Sequence, residues 1–164
     1  MKVYKKETVQ YINASLDESW EFFSNPRNLQ KITPKPMGFQ ITDFDSQSMY
    51  AGQIIQYKVS PLLGLKLSWT SEITQVKDKA YFIDDQRFGP YSFWHHKHFF
   101  EATANGVKMT DVIHYALPFG FFGRIINALI VKNKLNEIFD YRFQKVNELF
   151  NQEGAKPLRF KQSI

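Results

Sequence analysis

From residue 37 to residue 117 apolar and polar side chains alternate along the chain. A half-buried strand has this period of two, because successive side chains leave opposite faces of the pleat. Phe39, Ile41 and Phe44 mark a short first run. Gly52 to Ser60 then sets Ile55, Tyr57 and Val59 on one face against Gln56 and Lys58 on the other. After a turn at Pro61 to Gly64, Leu65, Leu67, Trp69, Ser71 and Ile73 alternate with Lys66, Ser68, Thr70, Glu72 and Thr74. A further strand covers Ala80 to Phe88, and Gly89-Pro90 turns the chain into another over Tyr91 to Ala102. Asn105-Gly106 reads as a two-residue hairpin. The return strand carries Val107, Met109, Asp111, Ile113, Tyr115 and Leu117 on one face.

The period changes at both ends. Residues 2–13 supply the β-formers of a first strand, among them Val3, Val9, Tyr11 and Ile12. Ser15 followed by Glu18 is a capping box, and Trp20, Phe22 and Phe23 give the helix it opens an apolar side. Asn25-Pro26 stops that helix, and residues 28–32 predict one more helical turn. After Pro118 and Gly120, apolar residues recur at three and four: Phe122, Ile125, Leu129, Leu135, Ile138, Phe139, Phe143, Val146 and Phe150. This predicts one amphipathic helix over 121–151, roughly 45 Å long at 1.5 Å per residue. Strand, short helices, about six antiparallel strands and one long helix make an α+β domain over residues 1–151, with a polar, basic, flexible tail at 152–164. A wide twisted sheet curls, and a helix of that length along its concave side leaves a cleft wherever ring side chains fail to fill the gap.

Composition supports a lined interior. Aromatics are 16% of the 164 residues, with sixteen Phe and eight Tyr. The charge of +5 is spread thinly apart from Lys156, Arg159 and Lys161, so no basic stripe for nucleic acid exists. There are no cysteines, which excludes disulfides and thiolate metal sites and fits a reducing cytoplasm. The first residues lack the apolar core of a signal peptide. No run of 18 apolar residues is present, so no transmembrane segment is expected.

Chemistry concentrates in the strand after Gly89-Pro90. Trp94, His96, His98 and Phe100 share one face, and Phe93, His95, Lys97 and Phe99 the other. The alternation leaves open which face is inner. Two imidazoles between aromatic walls suit a concave small-molecule site. They also have other uses: hydrogen bonding within the wall, orienting a ligand, moving a proton as general acid or base, or ligating a metal with Asp111 or Glu72 as third donor. No clear third ligand is legible, so no metal or other cofactor is expected. Asp111, alone on an apolar face, needs a partner; a histidine of the neighbouring strand or Arg142 on the last helix would serve, the latter as a structural ion pair. His96, His98 and Asp111 are therefore the catalytic candidates. Tyr57, Trp69, Trp94, Phe100, Ile113 and Tyr115 are the expected ligand-binding wall of the sheet. Phe122, Ile125, Leu129 and Phe139 are its helix side. The glycine-hinged apolar segments Pro61–Leu65 and Pro118–Gly123 are candidate gates or points of transient membrane contact.

The plan, and above all Gly89-Pro90-Tyr91-x-x-Trp94-x-His96-x-His98-x-Phe100, resembles the SRPBCC/START-like (helix-grip) superfamily, in particular its bacterial ligand-binding polyketide cyclase/dehydratase-like branch. Supporting segments are Asn28-Leu29-x-Lys31-Ile32-Thr33-Pro34, the Thr110-Asp111 to Gly120 stretch, and Ile138-Phe139-Asp140-Tyr141-Arg142. The resemblance covers roughly residues 3–150 and implies a deep apolar pocket between a curved sheet and the long helix. It implies no single activity, since the superfamily hosts carriers, receptors, cyclases and oxygenase subunits. Three classes of function follow: binding or carriage of a small hydrophobic or amphipathic molecule (lipid, isoprenoid, polyketide-like or aromatic), a cyclase or dehydratase using a cavity histidine, and a scaffold whose groove is closed. The sequence leaves the oligomeric state open.

Overall fold

A computed structural model of the chain describes residues 1–44, 48–60 and 65–151. The Pro61–Gly64 turn and the tail expected at 152–164 lie outside the described residues.

After strand β1 (Tyr4–Ile12), helix α1 (Leu16–Ser24) opens on the capping box: Glu18 N–H donates to Ser15 Oγ at 3.1 Å and Ser15 N–H donates to Glu18 Oε2 at 2.9 Å. The helix ends at Asn25, and the further helical turn expected over 28–32 begins two residues earlier, at Pro26. Asn25 Oδ1 caps α2 (Pro26–Leu29) through Arg27 N–H, and a proline in the first turn loses no intrahelical bond.

Six further strands follow: β2 (Gln40–Phe44), β3 (Ile54–Val59), β4 (Leu67–Lys77), β5 (Tyr81–Phe88), β6 (Phe93–Thr103) and β7 (Gly106–Ala116). They form one antiparallel sheet of order β1-β7-β6-β5-β4-β3-β2, so the helices after β1 carry the chain from one edge to the other. The alternation places Ile113, Met109 and Val107 of β7 inside, with Phe100, His98 and His96 of β6. The β6–β7 hairpin sits one residue from the expected position. Ala104 and Asn105 form its tip and Gly106 already pairs with Thr103. Gly106 is required there for another reason: its φ is +129° and a Cβ would come 2.1 Å from the Ile12 carbonyl oxygen.

The terminal helical segment runs without a break through α3 (Gly120–Ile126), a π-helical turn (Asn127–Val131) and α4 (Lys132–Phe150). Its buried face is Gly123, Asn127, Val131, Leu135 and Phe139, one residue in four. A regular α-helix drifts on such a spacing, and the wider π turn brings the stripe back into line. Tyr115 on β7 fixes that turn, its hydroxyl donating to Asn127 Oδ1 at 2.9 Å. The first half therefore meets the sheet through a glycine and an asparagine. Phe122, Ile125 and Leu129 point away from it, 70%, 41% and 70% exposed. These three do not form the helix side of any interior wall; the period of three and four marks the outer face before the π turn, while beyond it Leu135, Phe139 and Val146 of the same period are buried. Among the described residues no helix is long and apolar enough to cross a membrane.

Candidate functional site

A cavity of about 190 Å³ lies between the inner faces of β3 to β6, the α2 region and α4. It is somewhat larger than the roughly 150 Å³ apolar cavity that holds a benzene molecule. Its walls are rings that brace one another. Trp69 stacks on Tyr57 at 5.8 Å and meets Trp94 edge-on at 5.3 Å and Tyr91 at 5.5 Å. Phe39 leans on Tyr57 from β2's side, and Phe139 closes the wall from α4. Aromatic pairs in such edge and offset contacts gain about 0.5–1.5 kcal/mol beyond their area burial, which favours this arrangement of the wall. On one side the polar handles are tied together: Trp69 Nε1–H donates to Ser71 Oγ, and the Tyr57 hydroxyl lies 3.1 Å from the same oxygen. Burial, with Asp84 nearby, pushes the Tyr57 phenol well above its ordinary value, so it stays a neutral donor.

The polar end is built by β5, β6 and β7. The register sets Asp84 opposite His96 and Asp111 opposite His98, so the two imidazoles stand between two carboxylates. His96 Nε2 lies 3.0 Å from Asp111 Oδ1, and His98 Nε2 lies 3.0 Å from Asp84 Oδ2. His98 Nδ1 approaches Asp111 Oδ1 to 2.8 Å, at an angle too oblique for a hydrogen bond, and His96 Nδ1 stands 3.6 Å from Asp84 Oδ2. The rings themselves are 3.8 Å apart, too close for both to be cations in a dry interior.

The two histidines therefore diverge. Burial and the neighbouring His98 hold His96 below its ordinary value, against the pull of both carboxylates. Burial also opposes charge on His98, but its contacts with Asp111 and Asp84 outweigh it and raise the pKa. The carboxylates are likewise disfavoured by burial, yet the imidazoles hold Asp84 below, and Asp111 far below, the usual range. Arg142 of α4 reaches the same cavity, its charge helping to keep Asp84 ionised, while its buried Nε has no hydrogen-bond partner. The guanidinium lies 4.9 Å from the Phe139 ring, a cation–π contact.

Of the residues singled out in the sequence, Tyr57, Trp69, Trp94, Phe139, His96, His98 and Arg142 line this cavity. Asp111 lies behind the histidines, and its partners are those histidines; no ion pair joins it to Arg142, so the expected Asp111–Arg142 clamp is absent. The reason is register, which gives Asp111 two imidazoles before α4 is reached. Phe100 faces inward but packs into the core against Trp20, Phe23 and Phe82. Ile113 and Tyr115 are buried beneath Val131, Leu135 and Phe139, away from the cavity. Glu72 faces outward and bonds Arg87. Asp84 is the residue that sequence reasoning missed. The signal was the pair Asp84-Asp85: on a strand, one of two consecutive acids must face in. Asp85 takes the outer position and meets His95 at 2.6 Å.

A curved antiparallel sheet gripping a long carboxy-terminal helix, with a ring-lined cavity between them, defines a helix-grip protein. Solved structures share this architecture. Protein CV1439 from Chromobacterium violaceum superimposes with a TM-score of 0.67 at 13% identity, covering 91% of this chain and 99% of that one. Protein NE0264 from Nitrosomonas europaea gives 0.66 at 16% identity, over 90% and 94% of the two chains. Ginseng major latex-like protein 151 from Panax ginseng gives 0.63 at 11% identity, over 90% and 97%. At such identities the likeness establishes the fold. No family model and no curated protein matches the chain.

Proposed function

We propose that this protein binds, and carries in the cytoplasm, a small amphipathic molecule whose apolar body of one or two rings sits between Trp69, Trp94 and Phe139 and whose polar head meets His98 and Arg142. The observation that carries this reading is the 190 Å³ cavity with braced aromatic walls and polar groups gathered at one end. The resemblance to the polyketide cyclase/dehydratase-like branch supports the same class of ligand. Enclosing about 200 Å² of apolar ligand surface contributes roughly 5 kcal/mol before the losses of association. Micromolar binding is then expected without any chemical step. The volume suits an aromatic or polyketide-like molecule better than a complete long-chain lipid. An acidic head is favoured because Arg142 Nε is a buried donor with no acceptor in the protein.

Native mass spectrometry of protein purified without detergent tests this directly. A retained molecule of defined mass, or saturable uptake of naphthoate, supports carriage; protein that binds neither has a closed groove and serves as a scaffold.

A second reading, a cyclase or dehydratase with a cavity histidine as general acid or base, is favoured by one observation: both imidazoles line the cavity and each touches a carboxylate that orients it. Turnover of a polyketide-like substrate that His98→Gln abolishes, with ligand uptake retained, would establish it over simple carriage.

A further inference from the structure

At the polar end of the cavity one imidazole nitrogen, His96 Nδ1, stands just beyond hydrogen-bond reach of Asp84. Give His96 its proton on Nε2, where Asp111 accepts it at 3.0 Å. Its Nδ1 lone pair then faces Asp84 Oδ2 at 3.6 Å, too far for a hydrogen bond and with two lone pairs opposed. His98 Nε2 lies 3.0 Å from that same oxygen. One donor atom from each of Asp84, His96 and His98 falls within 4.8 Å of the other two. A proton can bridge two of these atoms. A metal ion can bridge all three.

We propose that Asp84, His96 and His98 form a binding site for one divalent first-row transition ion, with Asp111 orienting His96 by a hydrogen bond and standing against His98 from behind, and the cavity supplying the remaining coordination positions. Both distances from the carboxylate fit: His98 Nε2 and His96 Nδ1 lie 3.0 and 3.6 Å from Asp84 Oδ2, and around an ion with bonds of about 2.0–2.2 Å neighbouring donors sit roughly 2.9–3.6 Å apart. The donor chemistry fits as well, since two neutral imidazoles and a carboxylate suit zinc, cobalt or ferrous iron better than calcium or magnesium. Asp111 stands where outer-shell carboxylates stand in metal sites, on the ring nitrogens turned away from the ion. Charge sets the fourth ligand. The ion and Arg142 bring three positive charges against the two of Asp84 and Asp111, and the surplus calls for an anionic oxygen from the cavity. This goes beyond the carriage reading and does not depend on it, because the ligands lie in the wall whether or not an organic molecule enters.

The test uses untagged, metal-free full-length protein titrated with Co(II) and Zn(II), followed by dialysis and elemental analysis. One equivalent per chain is expected, with a visible Co(II) spectrum of nitrogen and oxygen ligation. Asp84→Asn and His98→Gln should each weaken binding at least about 100-fold, and Asp111→Asn about 10–100-fold. His114→Ala should leave it unchanged. Zn(II) at about 100 times its Kd should raise the melting temperature by roughly 5–10 °C. In the unmodified protein, Zn(II) should shift the imidazole resonances of His96 and His98 and not those of His95 and His114, which gives a readout even if a variant fails to fold. Less than a tenth of an equivalent bound would overturn the proposal. So would binding that survives Asp84→Asn, or that His114→Ala abolishes, which would put the ion on the outer face beside His95 and Asp85. Naphthoate uptake measured on the same samples separates this failure from a failure of the carriage reading.

Discussion

Val59→Phe is the sharpest probe of whether the cavity is space or merely loosely drawn core. Val59 is buried on β3 and its side chain forms part of the cavity wall. In a solid interior, a phenyl ring here would displace neighbours and cost about 1–3 kcal/mol or more. In this structure the ring enters a void of about 190 Å³. If it fills about a quarter of that volume, the recovered packing is about 1 kcal/mol at roughly 24 cal/mol per Å³. Gain and residual crowding then offset each other, and the net change in stability stays within about 1 kcal/mol. For a chain of this size that is at most about 4 °C in melting temperature. Ligand uptake responds differently, because the ring occupies the place of the ligand's apolar body. Naphthoate affinity, followed by quenching of tryptophan fluorescence, should fall at least tenfold, equivalent to about 1.4 kcal/mol. A drop of more than about 8 °C would mean that the interior was already full. Undiminished binding in a well-folded variant would place the ligand elsewhere. Either result refutes the reasoning.

The remaining predictions separate the roles of individual side chains. Trp69→Ala removes a ring held by Tyr57, Tyr91 and Trp94, and should cost about 3 kcal/mol of stability by denaturant unfolding, whereas Trp94→Ala, only partly buried, should cost less and show mainly in ligand affinity. Arg142→Met should weaken naphthoate at least tenfold more than the neutral naphthyl methanol, because only the carboxylate pairs with the guanidinium charge at its buried Nε–H; equal losses would remove Arg142 from the head-group site. Phe122→Ser together with Leu129→Ser should leave melting temperature and ligand uptake nearly unchanged, since both side chains are on the outer face; a large loss of either would return them to the interior. Ser15→Ala should cost about 1 kcal/mol through the lost helix cap, measured by chemical denaturation, with ligand affinity unaffected.

Much of this architecture was legible in the order of the residues. The period of two from Gly52 to Leu117 marks each of the strands β3 to β7 to within a few residues, because strand pleating leaves no freedom about which side chains share a face. The Ser15 and Glu18 capping box was equally local, and so was the fact that Trp94, His96, His98 and Phe100 agree in direction. Which direction they take was settled only by the sheet closing over α4. Tertiary structure also decided every pairing at the polar end. Asp84 meets the histidines through the β5–β6 register and Asp111 meets them through β6–β7, so of the two partners the sequence offered Asp111 the neighbouring-strand histidines stand beside it and Arg142 of α4 does not. The helix illustrates the same limit from the other side. Its apolar period holds in α4, where Leu135, Phe139 and Val146 are buried, but before the π turn Gly123 and Asn127 take the inner positions and Phe122, Ile125 and Leu129 face outward. Local chemistry fixes period and caps through bonds between near neighbours; which faces meet, and where space remains between them, depends on side chains far apart in the chain competing for the same volume.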